Sequence, residues 1–429
     1  MGISGRRSGS RAKLVALACG ALMSVSAQAA EPIRIGISTF LSGAGAVFGV
    51  PAQHAAQMLA DSINASGGIK GAPVELTFID ENRGVDSVVV EYRGLVEGNK
   101  VDAMIIGLSS SICLAVAPVA EQLQMPTVLW DCGTARLYEE NQYNYVYRTG
   151  DYTPSNNVAA ALYLLKTNPD IKTIAAINQD YAFGRDNWAA FKDAVKAIRP
   201  DINITTELFP RLGTSDYSTE ISRLSAQRPD VIFTTLWGGD MNTFVRQANS
   251  RSLFKNTILV APNGEAALQQ TGAAFPDNAI VGVRGDSYAF NPVMQNNPQH
   301  AKFVQDFYEK TGAYPSFPSY HMVQALQAIQ ASLQDWNGER STLKTDLLAG
   351  LEGLELNDFT GHLVLREDNQ AMEGQLVGTT RSSPDHEFKV IGDIAIIQPE
   401  LTSPPAGELS HEWIKKLTQD AVQNVQLLP

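Results

Sequence analysis

The chain has only three cysteines among its 429 residues, too few for the disulfide framework that holds small secreted domains together. Charge is scarce as well: 18% of residues are Asp, Glu, Lys or Arg, and the formal net charge is −12. A nucleic-acid binder needs a basic face, so this acidic balance excludes that class. No apolar run reaches the roughly 18 residues that a membrane helix needs. There is no Walker loop, no G-x-S-x-G elbow and no H-E-x-x-H. The six histidines (His54, His300, His321, His362, His386 and His411) are scattered without metal-ligand spacing. No metal, no cofactor and no enzymatic activity are therefore expected. His321 lies in an apolar helical stretch and reads as a satisfied core or surface residue. Gly43-Ala44-Gly45 with Gly49 has the spacing GxGxxxG rather than the dinucleotide fingerprint GxGxxG, and these glycines are read as letting the backbone turn after a first strand. No repeat and no low-complexity tract is present.

Hydrophobic residues make up 44% of the chain, enough for a sizeable core, and the length favours two or three domain-sized units. Residues 1–30 stand apart. Arg6, Arg7, Arg11 and Lys13 precede an apolar stretch from Leu14 to Val25, and Ala27-Gln28-Ala29 follows. A basic start, a short apolar run and an A-x-A site predict a cleavable signal peptide. Its removal takes away four positive charges and leaves −16. Arg6-Arg7 is not followed promptly by an apolar residue, which disfavours a twin-arginine signal. Cys19 has Ala16 rather than leucine three residues before it, so a free soluble protein is expected over a lipoprotein. Cys113 and Cys132 remain in the mature chain, either paired in an oxidising compartment or standing as two small half-buried residues.

From Glu31 the pattern alternates strand, loop and amphipathic helix. Strands are predicted at Ile33–Thr39, Val74–Ile79, Ala103–Gly107 and Thr127–Asp131, with helices at Gln53–Ile63, Val85–Glu97 and Cys113–Leu123; Gly43–Gly49 reads as a loop. The scheme restarts after Arg148-Thr149-Gly150-Asp151. Strands follow at Thr173–Asn178, from Glu207, at Val231–Trp237, Thr257–Ala261 and Ile280–Arg284. Helices are predicted at Trp188–Ala197, Ser218–Gln227 and Met241–Ser250. Phe303–Thr311, Tyr320–Trp336 and Thr345–Gly350 read as helices, and Gly361–Arg366 and Val390–Gln398 as late strands. Trp413–Val425 is expected to add one helix to a polar extension that begins at Pro404-Pro405. Alternating elements of this kind predict parallel sheets flanked by helices.

Several segments together resemble leucine/isoleucine/valine-binding proteins. They are Ile63–Leu76 (INASGGIKGAPVEL), Leu41-Ser42-Gly43, Gly107–Ser111 (GLSSS), Val146–Gly150 (VYRTG), Phe183-Gly184, Val245–Ala248 (VRQA) and Leu259–Gly264 (LVAPNG). They span roughly residues 32–390 in family order. The resemblance implies an α/β type I periplasmic binding fold: two Rossmann-like lobes with parallel-sheet cores, joined by a three-crossover hinge. By position, lobe one covers 31–149 and 281–358, lobe two 150–280 and 359–398, and 399–429 is an extension.

Ligands of open α/β sheets bind beyond the carboxyl ends of the strands. Ser109-Ser110-Ser111 sits between a strand and a helix start, where backbone amides hold anions; the competing reading is that one serine merely caps the helix. With the resemblance, Ser110 and Ser109 are candidates for gripping a ligand carboxylate. Cys132 and Thr134 match the neighbouring family loop, where a backbone carbonyl and a threonine bind amino and carboxylate groups. Phe183, beside Tyr181, matches an aromatic that covers the ligand. Phe48, Trp130, Phe183 and Trp237 would line an aromatic pocket, some of them as core. Amino-acid-binding members carry an acid where this chain has Asn263. Either Asp131 or Asp240 substitutes for it, or the ligand has no ammonium. The cysteine pair that some members use to fasten lobe one is also lacking.

The resemblance implies a periplasmic substrate-binding component that works with an ABC permease and ATPase at the inner membrane. Its expected ligand is a branched-chain amino acid or related small carboxylate. Alternatives are a receptor for aromatic or other non-amino carboxylates, or a sensor feeding a membrane signalling partner. No nucleic-acid partner is expected, and the protein is expected to be a monomer.

Overall fold

The computed structural model describes residues 1–5, 30–150 and 152–428. The leader features between Arg6 and Ala29 and residue Asp151 lie outside them. Among the described residues no helix is long and apolar enough to cross a membrane.

The first stretch of chain runs β1 (Ile33–Thr39), α1 (Ala46–Ala65), β2 (Val74–Asp80), α2 (Val85–Glu97), β3 (Ala103–Ile106), α3 (Ser110–Gln122), β4 (Thr127–Leu129), α4 (Arg136–Glu139) and β5 (Val146–Arg148). Its strands form one parallel sheet in the order β2-β1-β3-β4-β5. β3 reads Ala-Met-Ile-Ile and is buried throughout, as a strand must be when helices cover both faces of a parallel sheet.

The second stretch runs α5 (Thr153–Thr167), β6 (Thr173–Ile177), α6 (Ala182–Ile198), β7 (Asn203–Leu208), α7 (Ser218–Gln227), β8 (Val231–Thr234), α8 (Gly238–Ser250), β9 (Ile258–Ala261), α9 (Glu265–Thr271) and β10 (Ile280–Gly282). The remainder adds α10 (Pro298–Thr311), α11 (Phe317–Ser332), α12 (Leu343–Leu351), β11 (Glu355–Asp358), β12 (Gly361–Leu365), β13 (Ala371–Glu373), β14 (Gln375–Ser383) and β15 (His386–Ile397). Short helices α13 (Pro399–Thr402), α14 (Ser410–Ile414) and α15 (Gln419–Gln423) follow. The second sheet has the order β15-β14-β10-β9-β8-β6-β7, with β14 antiparallel to β10 and to β15.

Each sheet is packed on two sides. The first lies between a core shared with α1, α11 and α12 and another shared with α2 and α3. The second lies between a core shared with α7, α8 and α9 and one shared with α5 and α6.

Several expectations need correction. A lobe boundary after residue 280 would cut β10, which pairs with β9 and β14 in the second sheet. Residues 359–373 were expected with lobe two. Instead β11, β12 and β13 form a small antiparallel sheet, and Leu356, Leu363, Leu365 and Ala371 pack into the core of the first sheet. The inward face of this strand pattern finds its apolar partner there, so the chain returns to the second sheet only at β14. Residues 399–428 hold three short helices, and α14 and α15 stand where the single helix Trp413–Val425 was expected. Cys113 and Cys132 form a disulfide with Cα atoms 6.5 Å apart, fastening the start of α3 to the loop after β4 in the first lobe.

Candidate functional site

Each sheet has a switch point where the strand order reverses. In the first it falls between β1 and β3, in the second between β6 and β8. The loops leaving those strands open a crevice without steric competition from a connecting helix. The chain places aromatic and hydroxyl residues there. Phe48 stands on the first turn of α1, Ser110 is the first residue of α3, Tyr181 and Phe183 flank the start of α6, and Trp237 immediately precedes α8.

These rings meet across the crevice. Trp237 Nε1 donates to the Tyr181 hydroxyl at 2.9 Å, and Tyr181 stacks on Phe183 with centroids 6.1 Å apart. The Arg284 guanidinium lies 5.8 Å from the Phe183 ring and 5.3 Å from that of Phe317. Phe317 meets Phe48 at 5.3 Å, and Phe48 meets Trp237 at 5.7 Å. The contacts close a circuit of aromatic rings and one cation, drawn from both lobes. Backbone also approaches closely here, since a Cβ on Gly238 (φ +59°) would lie 2.6 Å from the Ala44 carbonyl oxygen.

Beside the rings is a buried charged cluster. Asp131 Oδ1 accepts from Arg284 Nη1 at 2.5 Å and contacts His321 Nδ1 at 2.8 Å. Arg284 Nη2 donates to the Asp131 main-chain oxygen at 3.1 Å. Arg284 adopts φ +52°, an unusual backbone for a non-glycine residue and of a kind that concentrates at functional sites. Glu81 is buried next to the cluster. Its carboxyl accepts from the Ser38 hydroxyl and from the amides of Leu108 and Ser109, and burial, reinforced by Asp131, pushes it up to about 7.

Ser109 makes no side-chain cap of α3, and the buried Ser110 hydroxyl has no protein partner. Asn263 is pinned by its amide nitrogen to the carbonyls of Thr235 and Leu236, at 3.3 and 3.2 Å. Two carbonyls demand a donor, which explains why an amide and not an acid stands here; its oxygen is left without a partner. Asp240 Oδ2 accepts from Gln179 Nε2 and the Gly213 amide in its own lobe, while Asp131 is held by Arg284 and His321 with Oδ2 unpartnered. The Cys132 sulfur is taken by the disulfide. The carbonyls of Cys132 and Thr134 accept from Arg148 Nη1, at 3.3 and 2.7 Å, so Arg148 holds that loop in shape. Trp130 is core: it is fully buried and its Nε1 donates to Ser38 O.

The structure thus brings together Phe48, Phe183, Trp237 and Asp131 among the expected residues. It adds Arg284, His321, Phe317, Tyr181 and Glu81. Arg284 had one usable signal, a basic residue at the carboxyl end of a strand. His321 had none, because its partners are distant in sequence.

A family model described as periplasmic binding protein matches residues 32–381. The Leu/Ile/Val-binding protein homolog 4 of Brucella melitensis biotype 1 is 24% identical over 375 residues, covering 85% of this chain and 87% of that protein. A solute binding protein of an ABC transporter from Rhodopseudomonas palustris BisB5, solved with 3,4-dihydroxybenzoic acid, superposes with TM-score 0.75 at 19% identity, covering 86% of this chain and 98% of the other. An amino acid ABC transporter substrate-binding protein from Pseudomonas fluorescens Pf-5 gives TM-score 0.76 at 18% identity, with 89% and 99% covered.

Proposed function

Because the chain belongs to the periplasmic binding protein family, we propose that its cleft captures an aromatic monocarboxylate and delivers it to an ABC importer from the periplasm. On this reading the chain serves as the substrate-binding protein of an ABC transporter, and its task is capture, with no chemical step. The circuit of Phe48, Trp237, Tyr181, Phe183 and Phe317 closed by Arg284 carries the choice of ligand. A flat ring bound against these rings would pack edge-on or offset. Arg284 Nε and the Ser110 hydroxyl, both buried without protein partners, are donors for a carboxylate. The amide at Asn263 supplies no charge for an ammonium. The relative from Rhodopseudomonas palustris, solved with a dihydroxybenzoic acid, is consistent with this reading.

A ligand touching both lobes stabilises closure by its differential affinity for the closed state, and the permease would read that closed shape. A cleavable leader between residues 1 and 30 and a monomeric state belong to the same proposal.

A branched-chain amino acid is the second reading. It rests on Asp131 Oδ2, which is buried without a partner and could accept from an ammonium. The relative named a Leu/Ile/Val-binding homolog is in line with it. A thermal-shift panel on protein unfolded and refolded free of carried-over ligand decides between the two. A ligand at a hundred times its dissociation constant adds about 2.7 kcal/mol. Benzoate and 4-hydroxybenzoate are expected to raise the melting temperature while leucine, isoleucine and valine leave it in place. The reverse pattern would transfer the site to amino acids.

A further inference from the structure

We propose that His321 is held doubly protonated in the cleft wall, so that Asp131, Arg284 and His321 together carry one net positive charge, and that this charge selects an anionic ligand over its neutral isostere. The ligand half of this inference rests on the carboxylate reading above; the protonation half does not.

The geometry leaves the imidazole little choice. His321 is buried on α11, with Nδ1 2.8 Å from Asp131 Oδ1 and Nε2 2.5 Å from the Arg284 carbonyl oxygen. A backbone carbonyl only accepts, and so does a carboxylate oxygen. A neutral imidazole has one N–H and one lone pair, so either tautomer would aim its lone pair at an oxygen in a buried site, where such repulsion is costly. Only the imidazolium donates to both. Protonating Asp131 instead is disfavoured, because the same Oδ1 also accepts from the Arg284 guanidinium at 2.5 Å. The Phe317 ring, 5.5 Å from the imidazole, offers its face to a cation.

Below neutrality two acids near the cluster stay largely uncharged: burial, reinforced by Asp131, pushes Glu81 up to about 7, and burial pushes Glu265, which accepts from the Phe317 amide, up to about 8. Burial pushes the Tyr181 phenol well above its usual range, so it stays neutral.

Two measurements test this. Nitrogen-15 NMR of the ligand-free protein, with the ring signals assigned by their loss in His321→Gln, should show two protonated ring nitrogens at neutral pH. One protonated and one bare nitrogen would overturn the proposal, whatever the ligand proves to be. In calorimetric titrations His321→Gln, which keeps a donor but loses the charge, should reduce the preference for benzoate over benzamide on the order of tenfold. An unchanged preference would remove the selective role. If the wild-type protein binds neither probe, the aromatic-ligand reading and the selective role fall together, and the NMR result still decides the protonation state.

Discussion

Among the described residues, burial lifts three acids well above the ordinary carboxylate range. Burial pushes Glu81 up to about 7, Glu265 to about 8 and Asp286 to about 7. A raised carboxyl keeps its proton in the folded state over a pH range where the unfolded chain has released it. That contribution is whole below the ordinary carboxylate range and is lost as pH rises through the folded values. Melting temperature is therefore expected to fall between about pH 5 and pH 8, and Glu265→Gln should flatten the slope; a melting curve insensitive to pH over that window would contradict the burial of these groups. The same residues show where sequence reading stops. Trp237 was legible because it follows a strand, and Phe48 and Phe183 because the family resemblance implies rings near those positions, in the helix starts after β1 and β6. Arg284 and His321 meet Asp131 across 153 and 190 residues, and neither periodicity nor spacing encodes such a meeting. Asn263 was visible as an anomaly, but its cause, the two carbonyls it must satisfy, belongs to the fold.

At the level of elements, the strands and helices read from the pattern are present in that order, but α5, α9, β5, β11, β13 and β14 are not read from it, and several helices start earlier than expected. α1, α3, α6 and α8 begin earlier than their amphipathic stretches, at Ala46, Ser110, Ala182 and Gly238, because their first turns carry glycines, aromatics or, in α3, serines rather than an apolar stripe. Gly238 is the sharpest case. Its positive φ and its approach to Ala44 leave no room for a side chain, so Gly238→Ala should prise the lobes apart there. The expected result is ligand affinity lower by about tenfold or more, since one kcal/mol-scale clash per closure is of that size, with a larger radius of gyration at saturating ligand. Unchanged affinity would show that the contact is not needed for closure. The disulfide between α3 and the loop after β4 closes a separation of 19 residues, and replacing both Cys113 and Cys132 by alanine should cost about 2–4 kcal/mol in denaturant unfolding. A loss well below that range would mean the packing around the pair already fixes the loop.

Over the whole molecule, the chain beyond β15 does more than end it. Ile414, Val422 and Val425 are buried in the core of α5 and α6. The Ser410 amide donates to Glu139 of α4 at 2.9 Å, and Arg366 donates to the Pro404 carbonyl at 2.7 Å. The extension is thus rooted in the second lobe and touches the first at α4, the helix that follows the Cys132–Thr134 loop. Its helices were hard to foresee because each is a single short turn or two, below the length at which helical periodicity is readable. Ending the chain after Gln398 should expose those three side chains and lower the melting temperature by several degrees, since burying a side chain of this kind is worth about 1.5–3 kcal/mol; an unaltered melting temperature would make the extension an ornament to the fold.

The central claim, that the two lobes close around an aromatic carboxylate, is tested most directly by titrating benzoate into refolded, ligand-free protein while following Trp237 fluorescence, with Trp237→Phe to isolate its signal and Arg284→Gln as control. A saturable change in the wild type that is lost or greatly weakened in Arg284→Gln is the predicted result. A Trp237 signal that ignores benzoate and responds to leucine would contradict it.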